Sequence, residues 1–484
     1  MLMLKAISCL LLVAGLIAEE KIPSNEVEED QSKEIIMIIE IYSSGSRSPV
    51  NSNILNEAWV KEVGLGRITG NGMRQQFNLG THIRNTHLKF FEKIDTDRVK
   101  VFSSGRSRSL ISALSHNHGL FPSGSRWNPE EQLTQVMKDL TRLPPCWKSK
   151  RNIATSLRSE FFSEPVALPL QTVDQFNDFM FLPRIDRACP KAKMYRDSFR
   201  AAHLKDRVIG MDSFLAELRT EVEKINSTMA QELTNKETYQ NNSNLINHLN
   251  DVLTASLYQN GQLPKGFSKS TYAKLRRAAS GYFMLKFEKD EIRKLYTSKI
   301  SETILSEVNR LERSLETKDA LDKHLSYLGF SGDDDTVASF LHLFGLSSPA
   351  CHFTAVSDSS MGSESSEVCQ PIPPYSSTLL FEILRNKKDG SLTINPTYNH
   401  KPLFPDAHAK GGIPEIPLDA FVSILEDKGL QDDFEELCGN KHVEVLKKGS
   451  YGLAVFLLLL SICASRAGLI RSQKEEKALQ NKVK

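Results

Sequence analysis

The sequence predicts an α/β protein, a mostly parallel sheet with helices on both faces, interrupted by an inserted and mostly helical segment. Three observations predict it. The run at 35–41 is β-branched and nearly continuous in apolar side chains, as befits a strand buried on both faces of a parallel sheet. Strands at 35–41, 98–102 and 325–330 each run into a short polar loop, the last two followed by a helical pattern, which is the grammar of parallel α/β architecture. Between the second and third units the apolar period changes to that of helices.

Residues 1–18 carry Lys5, then an apolar run, then small residues before Glu19-Glu20-Lys21, the pattern of a cleaved secretory signal. The first part of the core, 32–146, opens with the strand at 35–41 and the loop Tyr42-Ser43-Ser44-Gly45-Ser46-Arg47-Ser48-Pro49. Its second unit is the strand at 98–102, the loop Ser103-Ser104-Gly105-Arg106-Ser107, and a helix with Arg108 in its first turn that continues through Leu110, Ile111, Ala113 and Leu114. On that helix His116 and His118 are expected on a partly solvated flank rather than at a metal. The insertion covers 147–318. Phe214, Leu218, Val222 and Ile225, then Ile300, Ile304, Val308 and Leu311, follow helical spacing, whereas the Asn-rich stretch at 235–250 reads as a loop with a weak helix. The second part of the core, 319–445, holds the third strand, the acidic loop Ser331-Gly332-Asp333-Asp334-Asp335 and a helix through Val337, Phe340, Leu341 and Phe344.

The apolar stretch at 451–470, counted through a snorkelling Arg466, is long enough to span a bilayer. The basic tail 471–484 fits the cytoplasmic side, so the chain is expected to be a type I membrane protein whose main domain is lumenal or extracellular. A formal net charge of +2 gives no electrostatic case for a nucleic-acid partner. Of seven cysteines, Cys9 lies in the signal and Cys463 in the span. That leaves Cys146, Cys189, Cys351, Cys369 and Cys438, an odd number for pairing in an oxidising compartment. Asn226-Ser227-Thr228 and Asn241-Asn242-Ser243 are glycosylation sequons that this compartment permits.

Loops at the carboxyl ends of parallel strands converge on one crevice, and the helical insertion is placed to cap it. In these loops the sequence resembles a known family. Ser43-Ser44-Gly45-Ser46-Arg47-Ser48-Pro49 is similar to the Arg-His-Gly-x-Arg-x-Pro signature of the histidine acid phosphatases. Ser103-Ser104 with Arg108-Ser109-Leu110-Ile111-Ser112-Ala113 resembles that family's second block, and Gly119-Leu120-Phe121-Pro122 its close. Ser331-Gly332-Asp333-Asp334-Asp335 resembles the Ser-Ala-His-Asp-Thr block, and Pro373-Pro374-Tyr375-Ser376-Ser377 the Pro-Pro-Tyr-Ala-Ser that follows. The blocks keep their order across nearly the whole main domain, in the pattern of the membrane-anchored lysosomal and prostatic branch. The resemblance implies a phosphoglycerate mutase-like fold, admits a homodimer, and brings no cofactor.

In that family a histidine attacks phosphorus, an aspartic acid protonates the leaving alcohol, and arginines with a second histidine surround the phosphoryl oxygens. Carried over, the resemblance keeps Arg47 and Arg108 as phosphate-binding residues and Asp334 as proton donor. Ser43 stands at the first arginine, Ser44 at the nucleophile and Asp333 at the second histidine. A serine without an adjacent base is a poor nucleophile, and a carboxylate at 333 repels a phosphate dianion. A catalytically silent binding or structural protein is therefore the first expectation. A phosphomonoesterase with an altered nucleophile is the alternative. Arg47 and Arg108 have two open uses, pairing with Asp333 or Asp334 or recognising an anion. The acidic run caps a helix more readily than it binds a metal, since its spacing is not that of a calcium loop. The resemblance also pairs Cys189, in Cys189-Pro190-Lys191, with Cys438, which leaves Cys351 and Cys369 to close a local loop and Cys146 over.

Overall fold

Along the first strand, β1 (Lys33–Tyr42), side chains alternate between two cores. Met37, Ile39 and Ile41 pack with Ile300, Ile304, Phe330 and Phe340 on one face. Ile38 packs with Leu79, Ile83, Val101 and Leu120 on the other. A strand covered on both sides has no solvent-facing side, which is why its sequence is nearly continuous in apolar residues apart from the buried Glu40. The computed structural model describes residues 32–51, 55–121, 170–194, 196–198, 212–233, 239–317, 324–357, 369–404, 415–431, 434 and 438.

The sheet runs in the order β3 (Leu170–Thr172), β2 (Val99–Ser103), β4 (Tyr327–Ser331), β1, β5 (Thr378–Asn386), β6 (Leu392–Tyr398) and β7 (Lys401–Pro402), with β8 (Ile416–Pro417) also pairing β6. The strands β3, β2, β4 and β1 are parallel neighbours, whereas β5 onward pair antiparallel. The α/β class stands, with a mixed sheet. The parallel half carries the strand-loop-helix units, and the short connection from β5 to β6 can only join antiparallel strands.

Helices α1 (Gly70–Thr86) and α2 (Ser107–Leu120) cover one face. They approach so closely that a Cβ on Gly80 would fall 2.2 Å from the His116 carbonyl oxygen, and one on Gly119 2.0 Å from that of Phe77. In the inserted segment α3 (Asp212–Glu223), α4 (Tyr239–Asn260) and α5 (Lys269–Met284) share a separate apolar cluster through Phe214, Leu218, Ile246, Leu249, Leu275 and Tyr282. The expected loop at 235–250 is thus corrected: from Tyr239 it is helix, because Leu245, Ile246, Leu249, Val252 and Leu253 are buried at helical spacing. The long α6 (Asp290–Thr317) instead lays Ile300, Ile304, Val308 and Leu311 onto the sheet. It shares that face with α7 (Asp334–Leu343) and, after α8 (Pro349–Ser357), with α9 (Leu418–Ile424).

Disulfides join Cys189 to Cys438 and Cys351 to Cys369. Asn226 caps a short helix, its side chain accepting from the Met229 N–H at 3.0 Å, and Asn241 lies in the first turn of α4. Among the described residues no helix is long and apolar enough to cross a membrane. The segments 1–18, 451–470 and 471–484, together with Cys146, lie outside the described residues.

Candidate functional site

The parallel register brings the strand ends level. Tyr42 and Ser103 both pair with Ser331, so the loops after β1, β2 and β4 leave the sheet side by side. Antiparallel pairing of Thr378 with Tyr42 adds the segment before β5 to the same rim. Backbone bonds lock the four loops: Ser43 N–H to Ser377 C=O at 2.9 Å, Ser104 N–H to Ser331 C=O at 3.0 Å, and Gly332 N–H to Tyr42 C=O at 2.9 Å. Gly45 is required here, since its Cβ would lie 2.2 Å from the Gly72 carbonyl oxygen at the start of α1.

Ser43 is buried and structural in its contacts. Its hydroxyl donates to Pro374 C=O at 3.0 Å and accepts from Ser377 N–H at 3.0 Å, tying the first loop to the last. Ser44 is buried too, and its carbonyl accepts from Ser376 N–H at 3.0 Å. Among the described residues no histidine or carboxylate bonds its hydroxyl. The Gly45 N–H donates to Ser112 on α2 at 3.1 Å.

Asp333 stands at the N-cap of α7, where its N–H donates to Thr336 Oγ1 at 3.4 Å. Asp334 and Asp335 complement the dipole in the first turn, as expected of an acidic run at a helix start. Asp333 does more than cap. Arg108 grips it with both ends of its fork, Nε to Oδ1 at 2.8 Å and Nη2 to Oδ2 at 2.9 Å, and Arg106 bonds the same carboxylate. Ser109 Oγ donates to Oδ1 at 3.3 Å. Burial works to raise the pKa of this carboxyl, but Arg108 and then Arg106 overcome it and hold the group well below the usual carboxylate range. Asp334, only partly exposed, behaves oppositely. Burial and then Asp335 push its carboxyl up, with Arg47 opposing and Asp333 adding to the rise. Asp335 is ion-paired with Lys286.

Arg47 pairs with neither Asp333 nor Asp334. Its Nη1 donates to Asp251 Oδ1 at 2.7 Å, and its guanidinium lies 5.6 Å from the centre of the Tyr375 ring. Asp251 sits on α4, and its other oxygen accepts from Val50 N–H at 2.8 Å. With Asp333 already taken by the Arg108 fork, the cap supplies the partner for Arg47.

Beneath the crevice lies a second polar group. Glu40, near the carboxyl end of β1, is 0% exposed and accepts from Tyr327 OH at 2.6 Å, from Thr378 Oγ1 at 3.0 Å and from His116 Nε2 at 3.1 Å. Burial works to raise its pKa, yet His116, Tyr327 and Thr378 together lower it. The flank expected for His116 is therefore corrected: it is fully buried and stacked 4.5 Å from the Tyr42 ring, whereas His118 is exposed. The reason is that α2 turns Ser109, Ser112 and His116 to the sheet and leaves Ile111 and Leu114 outside.

Sequence reasoning left Arg106, Asp251 and Lys286 without roles. Arg106 lies within the second strand-end loop, where a basic residue so close to Arg108 was the available signal. Asp251 and Lys286 reach the rim through the inserted segment, with no local signal at all.

Among curated proteins the chain is similar to the prostatic acid phosphatase of Bos taurus, 33% identical over 106 residues, which are 20% of this chain and 27% of that one. The human prostatic acid phosphatase is 32% identical over 105 residues, again 20% of this chain and 27% of that one. The mouse testicular acid phosphatase is 24% identical over 193 residues, 38% of this chain and 37% of that one. The chain thus aligns with well under half the length of these relatives. Among solved structures, Hafnia alvei phytase in complex with myo-inositol hexakis sulphate superposes with a TM-score of 0.51 at 14% identity, covering 83% of this chain and 98% of that one, a likeness of fold alone. The model of the histidine phosphatase superfamily, branch 2, matches residues 33–398, three-quarters of the sequence and all four crevice loops, and the chain belongs to that superfamily.

Proposed function

We propose that this protein is a membrane-anchored, catalytically silent member of the superfamily, its capped crevice serving as a binding or structural module. The observation that carries the reading is the isolation of Ser44. A serine at the nucleophile position needs a neighbouring base, and among the described residues none bonds its hydroxyl. The charge of the rim supports it. Arg47, Arg106, Arg108 and Lys286 face Asp251, Asp333, Asp334 and Asp335, so a phosphate dianion meets no net attraction. One observation favours the alternative of an acid phosphatase with an altered nucleophile: the Asp334 carboxyl is pushed up, as suits a proton donor.

The two readings separate by turnover of a generic aryl phosphate across acidic to neutral pH. Removing one charged donor alone commonly costs about 100-fold or more. The wild-type domain is expected to show no turnover above a Ser44→Ala control. Wild-type activity abolished by that change would establish the serine-based phosphatase instead.

The anchor rests on the apolar stretch at 451–470 and its basic flank. The full chain is expected to stay with membranes through alkaline carbonate washing, while a truncation ending near Gly449 is secreted. Release of the full chain by the wash would reject the span. Glycans at Asn226 or Asn241 would place the insertion on the lumenal or extracellular side.

A further inference from the structure

The donors around Asp333 are those that recognise an oxyanion. Arg108 offers Nε and Nη2 in a parallel fork, Arg106 adds a second guanidinium, and Ser109 adds a hydroxyl. Planar forks of this kind bind carboxylate and phosphate interchangeably, because both present two oxygens at matching separation. The carboxylate that fills them is 7% exposed at its side chain and comes from the loop after β4, part of the same rim. On the other side of the crevice, Asp251 uses both oxygens, one on Arg47 and one on the Val50 N–H. A helix of the inserted segment is thereby fastened to the loop after β1.

We propose that the crevice is an oxyanion site closed by the chain's own carboxylates. Asp333 is the resident occupant of the Arg106, Arg108 and Ser109 donors. Asp251 is the latch that takes Arg47 and holds α4 over the loop. This deepens the silent reading and rests on it: a free phosphate must displace an intramolecular competitor whose effective concentration is at least millimolar. Removing the Asp333 carboxylate empties the donors and leaves the rim with one excess positive charge. Removing the Asp251 charge as well frees Arg47 and leaves two.

Isothermal titration of the purified full chain with inorganic phosphate, repeated with tungstate, tests this. Wild type is expected to bind neither with a Kd below about 1 mM. Asp333→Ala should gain binding by at least about tenfold, and Asp251→Asn added to it should tighten binding further. Adding Arg108→Ala to Asp333→Ala should remove the gain. Circular dichroism reports whether each variant is folded. Should Asp333→Ala fail to fold, Asp333→Asn decides, since it keeps the shape and one acceptor oxygen while losing the charge. Wild-type binding as tight as that of the variants would overturn the proposal, as would a folded Asp333 variant that gains nothing. Loss of fold in both Asp333 variants would also overturn it, by making Asp333 an indispensable strut rather than a displaceable occupant. The readout is binding and not turnover, so the two readings fail separately. Wild-type hydrolysis would remove the silence and leave a binding gain intact, and an absent gain would remove the occupant and leave the silence intact.

Discussion

Glu40→Ala should cost about 3 to 5 kcal/mol, a large fraction of the stability of an ordinary domain, and should show as a large fall in urea midpoint or as failure to accumulate folded protein. Glu40 sits near the carboxyl end of β1 with no exposed surface, and three separate elements send it donors: Tyr327 from β4, Thr378 from β5 and His116 from α2. Truncation leaves all three facing a dry gap. An unpaired buried group loses its hydration without compensation, whereas the intact cluster has every carboxylate oxygen bonded. Glu40→Gln keeps the shape and should cost less. The pair Glu40→Ala and His116→Ala should be less than additive, because each removes the other's partner. Full additivity would show that the cluster is not a unit.

Why the sequence disclosed the frame but not this cluster is a matter of range. The strand-end loops were legible because each pairs a continuous apolar run with Gly and Ser in fixed order, and those constraints are local. Gly45 is such a case, forced by the approach of Gly72. The helix after β2 misleads for a physical reason. Its apolar residues Ile111 and Leu114 are 36% and 44% exposed, while small polar Ser109 and Ser112 face inward, where only short side chains let the backbone come within bonding distance of the loops. His116 follows them by helical register and is carried inside. In the same way the many asparagines of α4 concealed a helix whose buried Leu245, Ile246 and Leu249 decide its conformation. The pairing of Arg47 with Asp251 spans 204 positions in the chain, and nothing near either residue announces it. Asp333 and Asp334, on a neighbouring strand-end loop, were the natural partners to consider for Arg47, and the fold supplied one from the inserted segment because Arg108 had already claimed Asp333.

Arg108→Ala should lower stability at neutral pH by about 2 to 3 kcal/mol and flatten the acid limb of the stability curve. Arg108 supplies two of the bonds to the Asp333 carboxylate, and without it Arg106 is the one guanidinium still bonded to that buried charge, beside the Ser109 hydroxyl. The sign follows from the direction of the shift. The folded-state pKa of Asp333 lies below its unfolded value, so the stabilisation is fully present above about pH 4 and is lost as pH falls through the folded pKa. The wild-type crevice therefore stays closed at mildly acidic pH and weakens only in stronger acid. Arg108→Ala raises the folded pKa toward the unfolded one and removes most of that dependence. Asp334 contributes with the opposite sign. Its carboxyl is pushed up by burial and Asp335, so its ionised form burdens the fold at neutral pH and the burden lifts as pH falls. Asp334→Asn should accordingly stabilise the protein at neutral pH and lose that advantage on acidification. Urea denaturation of wild type and both variants from neutral to strongly acidic pH resolves the two contributions. An acid limb unchanged by Arg108→Ala would show that Asp333 does not depend on that arginine for its charge.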